Sequence, residues 1–316
     1  MKIVVPGGTG QVGQVLTRAL RSRGHEVCLI GRSSSSHEKI FVWDGKNLES
    51  WGKIVDGADV VINLAGRSVN CRYTKNNLEE MMNSRVDSTR VVGQAISQSK
   101  NPPRVWLQAS TATIYAHRFD ADNDEADGII GGREPRVPGY WKYSIDIAQA
   151  WEQAMHEANT PHTRKIAMRS AMIMSPDENG IFDSLLRLVR WRLGGTVASG
   201  NQYISWVHEH DFVRAVEFLI AKDDISGAVN IAAPNPMAQK DFMKVLRNAW
   251  GVKIGLPATK LMAEIGAFFL RTDTELLFKS RRVISGKLQK AGFSFEFPKW
   301  PEAAKELVNR WRAENS

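Results

Sequence analysis

The chain has 316 residues, 43% hydrophobic and 24% charged, the balance of a globular protein built as one large domain or a domain with a smaller lobe. No apolar run approaches the roughly 20 residues needed to span a bilayer, so no membrane partner is expected. The net charge of +8 raises nucleic acid as a partner, but the basic residues are scattered, with modest clusters at 187–192 and 279–282 and no aromatic stacking pattern beside them; solvated helix faces and a pocket for an anionic small molecule account for the charge, and nucleic acid is not expected.

Ile3, Val4 and Val5 form a β-branched apolar run suited to a strand buried on both faces. Met1 leads straight into it, so no targeting peptide is expected. Gly7, Gly10 and Gly13 follow as G-x-x-G-x-x-G, and 14–23 continues as a helix. In this setting the first glycine allows a tight turn, the second lets the backbone approach a pyrophosphate, and the third lets the helix pack on the strand. The unpaired N–H groups at the helix start then face the phosphates. A dinucleotide is the predicted ligand, with Gly7, Thr9, Gly10, Gln11 and Val12 around its pyrophosphate.

The second strand, 26–31, ends in Gly31-Arg32-Ser33. An NAD enzyme usually places an acid here for the ribose 2′-hydroxyl, whereas arginine accommodates the 2′-phosphate of NADP. No acid stands at this strand end, so Arg32 points to NADP(H). Cys28 lies within this strand and Cys71 is the only other cysteine; a structural disulfide is not expected, and a reducing cytoplasm fits.

Strands are predicted at 40–43 and 58–64, the latter running into Asn63-Leu64-Ala65-Gly66, where small residues let a cofactor pass close to the backbone. A long helix, 75–99, carries Glu80 and Arg85. A strand at 105–109 ends in Ser110-Thr111-Ala112-Thr113-Ile114-Tyr115. Strand–helix alternation of this kind predicts a Rossmann-type, doubly wound parallel α/β sheet. The acidic stretch 120–127 reads as a solvated loop over the active site, 141–157 as helix and 165–169 as the sixth strand. Beyond Ser175 the alternation weakens. Helices are predicted at 181–191, 211–221, 239–250, 259–270 and 301–312, and strands at 204–207 and 228–232. The predicted organisation is a dinucleotide-binding domain over 1–174, to which 201–232 returns, and a smaller, mainly helical substrate lobe from 175–200 and 233–316. His208, His210 and Asp211 share one region, but no third metal ligand has suitable spacing; His208 and Asp211 are expected to make structural hydrogen bonds at the lobe junction, and no metal is expected.

The order GGTGxxG, NLAG and STATIYA followed by an acidic DE pair resembles the extended short-chain dehydrogenase/reductase family. The segments NSRVDSTRVV (83–92), WEQA (151–154), RSAMIM (169–174), LGGTVASGNQYISWVHEHDFVRAV (193–216) and AGFSFEFP (291–298) narrow the resemblance to an atypical group, the YfcH-type, sugar-nucleotide-epimerase-like proteins. The resemblance covers essentially the whole chain. It implies cofactor contacts by Leu64, Ala65, Glu80, Arg85 and Ile173, the last beside the nicotinamide. It also implies a nucleotide sugar or another polar small molecule as substrate, with Arg169 and the 194–206 loop as its contacts, and a homodimer paired through two long helices.

In that family a Tyr in Y-x-x-x-K moves the proton while a Ser or Thr hydrogen-bonds the reacting oxygen, and the Lys lowers the Tyr pKa. The STATIYA match places Thr111 at the Ser/Thr position, and the helix before WEQA places Tyr143 at the tyrosine. Four residues on stands Ile147, not Lys, and no tyrosine in the chain satisfies the pattern. The chain therefore reads either as an NADP-dependent oxidoreductase or epimerase with altered proton-transfer groups, or as a non-catalytic NADPH-binding sensor.

Overall fold

The computed structural model describes residues 1–36, 38–135, 137–260, 262, 264 and 275–315. The predicted helix at 259–270 lies mostly outside these residues. Seven strands form the main sheet: β1 (Lys2–Pro6), β2 (Glu26–Gly31), β3 (Ile40–Val42), β4 (Val60–Asn63), β5 (Val105–Thr111), β6 (Arg164–Ser170) and β10 (Gly227–Ile231). Their order is β10-β6-β5-β4-β1-β2-β3, and every pairing is parallel. The strand order reverses between β1 and β4, the position at which open α/β sheets bind their ligands.

Alternation along the strands sends residues to two cores. Ile3 and Val5 of β1 face α1 (Gln11–Ser22) and α5 (Glu209–Ala221), packing with Leu16, Leu20, Phe212 and Val216. Val4, between them, faces α2 (Lys75–Gln98) and α3 (Lys142–Glu157), packing with Val91, Ile96 and Met155. Thr74 starts α2 by accepting a hydrogen bond from the Asn77 N–H at 3.3 Å, which satisfies one of the free donors of its first turn.

After β6 the chain leaves the sheet. Residues Met172–Met174 (β7) pair in parallel with Trp206–His208 (β9), and Tyr203–Ile204 (β8) pairs with Met237–Ala238 (β11). A third core gathers Phe182 and Leu186 of α4 (Ile181–Arg190), Phe242 and Leu246 of α6 (Gln239–Trp250), and Trp300 and Leu307 of the C-terminal helix Trp300–Glu314. Trp300 stacks on Phe242 with ring centroids 4.0 Å apart. Between these elements, the short helices Glu275–Phe278 (α7) and Gly286–Lys290 (α8) precede the C-terminal helix, α9. Leu288 and Phe293 join the core of the main sheet, so this last stretch spans both bodies.

His208 and Asp211 make the structural bonds expected of them. The His208 Nδ1 accepts from the His210 N–H at 3.1 Å, capping α5, which leaves its Nε2 to donate to Glu306 at 2.8 Å. Asp211 accepts the backbone N–H groups of Glu296 and Phe297 at 2.7 and 2.8 Å. Among the described residues no helix is long and apolar enough to cross a membrane.

Candidate functional site

Three of the four glycines in the turn after β1, Gly7, Gly10 and Gly13, stand in distinct surroundings. Gly7 has φ +77°, and a Cβ there would stand 2.7 Å from the Ala65 backbone nitrogen. The turn therefore rests directly on Leu64 and Ala65, at the end of β4. Gly13 is closed in from the other side, since a Cβ on it would overlap the backbone of Gly8. At Gly10 the outer side is open: a Cβ would meet only the Gly7 carbonyl, at 3.4 Å. Gly10 is also the N-cap of α1, extended and without a side-chain cap. The N–H groups of the first helical turn, at Gln11, Val12 and Gly13, lack helical partners and surround that open space. A cradle that a side chain would fill, lined by N–H donors, fits a pyrophosphate.

The neighbouring positions converge on the same crevice. Thr9 packs on Gly31, where a Cβ would lie 3.1 Å from Thr9 Cγ2, and the next residue, Arg32, is exposed. The Gln11 amide lies against Gly180, just before α4. Val12 packs on the main core. Both α2 residues come to the loop after β4. Glu80 pairs with Arg67. Arg85 is buried, with its guanidinium over the Trp151 ring at 4.9 Å and its side chain against Gly66. Among the described residues Arg85 has no carboxylate partner, and burial pushes it down to about 10. Ile173 sits in the middle of β7, half-buried against the main core and paired with Val207.

The other end of the crevice is built at the C-terminal ends of β5 and β6. Thr111 closes β5, and its hydroxyl accepts from the Thr113 N–H at 3.1 Å. Beneath it lies a buried polar chain. Ser110 donates to Glu152 at 2.6 Å, and Glu152 receives Arg169 through both Nε and Nη at 2.8 Å. The remaining Arg169 nitrogen donates to the Tyr115 hydroxyl, which donates to Asn230, both at 2.9 Å. Arg169, expected to contact substrate, is thus fully engaged inside the protein. Burial raises the Tyr115 pKa, so its hydroxyl stays protonated at neutral pH.

The α3 helix corrects the dyad reading by one residue. Glu152 faces β5, so the stripe at i−4 and i−8, Ala148 and Ser144, faces it too. Ala148 is fully buried against the turn after β5, and Ser144 Oγ donates to Glu275. Tyr143 is one residue, about 100°, away. It is 51% exposed, and Ile147 packs on Leu78 and Met81 of α2 instead.

Two further expectations change. The basic cluster 279–282 is not a solvated face: Lys279 is 2% exposed, Arg281 donates to the Thr113 hydroxyl, and Arg282 donates to Asp122. The acidic stretch 120–127 is not a free loop. Buried Asn123 bonds to Arg282 and Ile284, and Glu125 accepts from Asn230 and Lys287. Asp122, Asn123 and Glu125 thus meet partners from β10 or the C-terminal segment, which hold the loop down.

With this geometry in place, the chain was compared with known proteins. Residues 3–232 match the model of the NAD dependent epimerase/dehydratase family. The chain belongs to that family. Residues 260–307 also match a domain of unknown function, DUF1731. The epimerase family protein SDR39U1 of Homo sapiens is 27% identical over 313 residues, covering 98% of this chain and all of that protein. YfhF of Bacillus subtilis is 27% identical over 322 residues, covering 98% of both. The crystal structure of human SDR39U1 (isoform 2) with NADPH superimposes with a TM-score of 0.83 at 25% identity, covering 98% of this chain and 99% of that one. The extended short-chain dehydrogenase/reductase resemblance and the Rossmann-type sheet are thereby borne out.

Proposed function

We propose that the chain is an NADP(H)-dependent oxidoreductase or epimerase acting on a nucleotide sugar or another polar small molecule. The carrying observation is the open cradle at Gly10, lined by the free N–H groups of α1, where the strand order reverses. The buried, carboxylate-free Arg85 beside Gly66 supports an anionic ligand in the same crevice. The NADPH in the SDR39U1 crystal structure supports the choice of cofactor. In this reading Gly7, Thr9, Gly10, Gln11 and Val12 surround the pyrophosphate and Arg32 takes the 2′-phosphate. Leu64, Ala65, Glu80 and Arg85 border the cofactor along β4 and α2, and Ile173 lies by the nicotinamide. The nicotinamide would supply or accept hydride; Thr111 orients the reacting oxygen at the end of β5. The family resemblance adds a homodimer paired through two long helices, and the two free cysteines fit a reducing cytoplasm.

A second reading, a non-catalytic NADPH sensor, is favoured by the inward stripe of α3, which carries Ser144 and Ala148 instead of a tyrosine and a lysine. Calorimetric titration with NADPH and NADH tests the common part: micromolar NADPH binding is expected, and no binding of either nucleotide overturns both readings. NADPH oxidation and epimerisation of the sugar, followed in parallel across a panel of nucleotide sugars, then separate them: a reductase consumes NADPH, an epimerase interconverts sugars with no net cofactor change, and a sensor does neither.

A further inference from the structure

The chain lacks a lysine on the inward stripe of α3 but buries one, from another segment, against the turn after β5. Lys279 follows α7, and its Nζ donates to the Thr113 carbonyl at 2.8 Å. It stands 3.6 Å from Glu275 Oε1, and both side chains are almost wholly enclosed. The other Glu275 oxygen accepts from Ser144 Oγ, the head of the inward stripe of α3. Three segments therefore meet at the C-terminal end of β5: the turn containing Thr113, the first turn of α3, and the C-terminal stretch. Thr111 is two residues away. A buried ion pair is a poor way to gain stability, because desolvation offsets most of the attraction. Charge retained in such a place calls for a use other than holding segments together.

We propose that Lys279 is a positioning residue for the nicotinamide end of the cofactor site, a titratable ammonium brought by the C-terminal segment to the C-terminal end of β5, where Thr111 stands. This rests on the NADP(H) reading above. Burial pushes Lys279 down to about 8; Arg281 adds to the shift, and Glu275 and Glu134 oppose it. Glu134 is held by the N–H groups of His117 and Gly132, and His117 Nδ1 accepts from the Ser280 N–H. Among the described residues these are the charged and titratable groups around Lys279. The oxidised nicotinamide carries a positive charge that the reduced ring lacks. A protonated Lys279 weakens NADP⁺ relative to NADPH, and deprotonation removes that discrimination.

Dissociation constants of NADP⁺ and NADPH on the full-length protein, measured by calorimetry from about pH 6.5 to about 9.5, test this. The 2′-phosphate is common to both nucleotides and cancels in the ratio. That ratio, NADP⁺ over NADPH, is expected to fall about tenfold as pH rises through the Lys279 transition. Lys279→Met should hold it flat at the low value, and Lys279→Arg flat at the high value. Glu275→Gln, which keeps the lysine, should move the transition down by about one pH unit, and serves if Lys279→Met does not fold. A ratio independent of pH in the natural protein overturns the proposal while leaving NADP(H) binding intact, as does an unchanged slope in Lys279→Met. Failure to bind either nucleotide overturns the cofactor reading, and this proposal with it.

Discussion

The two ends of the crevice are built in opposite ways. The pyrophosphate end is local: residues 7–13 form a turn in which Gly7 answers to the adjacent β4 loop and Gly10 and Gly13 to neighbours within the turn. The reaction end is composite. Ser110, Thr113, Ser144, Glu152, Arg169, Glu275 and Lys279 come from four stretches of chain and are joined by buried charge-assisted bonds. A local site depends on backbone shape and open space, so it fails by filling. A composite site depends on paired charges, so it fails by leaving one partner alone in a dry interior.

The largest effect expected on cofactor binding is at the local end. Gly10→Val places a side chain in the open space with only an ordinary contact to the Gly7 carbonyl, so the protein should fold while NADPH affinity falls at least about a hundredfold, roughly 3 kcal/mol. Calorimetry and thermal melting together check this; normal NADPH binding would show the turn to be merely structural. Gly7 and Gly13 offer no such separation, because a Cβ at either collides with backbone.

At the composite end the corresponding change is Glu152→Gln. It leaves the Arg169 guanidinium buried without its carboxylate, and the destabilisation expected is about 3–5 kcal/mol, read by chemical denaturation. A loss under about 1 kcal/mol would mean that Arg169 finds another partner or water. Next in size is Arg32→Ala. Loss of a charge-assisted contact to the 2′-phosphate should cost about 1.5–3 kcal/mol of NADPH binding and nothing of NADH binding. Equal titration curves for the natural and altered proteins would remove Arg32 from the site.

The same contrast explains what could be read from the sequence. The glycine turn, Arg32 at the end of β2 and the small residues after β4 are contiguous patterns, and strand–helix alternation fixes where they lie in a parallel sheet. The α3 stripe was legible to within one residue, because WEQA places the helix but only the Glu152–Ser110 bond sets its rotation. Glu275 and Lys279 leave no local signal. They reach Ser144 and Thr113 across 131 and 166 residues, and a basic run such as 279–282 looks the same in sequence whether it is solvated or enclosed. Arg169 misled for a related reason: a strand-end arginine suits a substrate anion, and only the fold reveals that Glu152 already pairs with it.

The smallest effect expected is also the one that most sharpens the comparison. Tyr143 lies on the exposed side of α3, while Ser144 lies on the inward stripe, so neighbouring hydroxyls have opposite fates. Tyr143→Phe removes a hydroxyl that sits in water and should change stability by no more than about 0.5 kcal/mol. Ser144→Ala removes the donor that meets a buried carboxylate, and should cost about 1–3 kcal/mol. Melting curves of the two variants side by side decide which residue heads the inward stripe. If any NADPH turnover is found, Tyr143→Phe should leave it within about twofold, because a group on the solvent side of the helix stays outside hydrogen-bond reach of the reacting oxygen. A larger loss in Tyr143→Phe than in Ser144→Ala would turn α3 back by one residue and restore the tyrosine to the cleft.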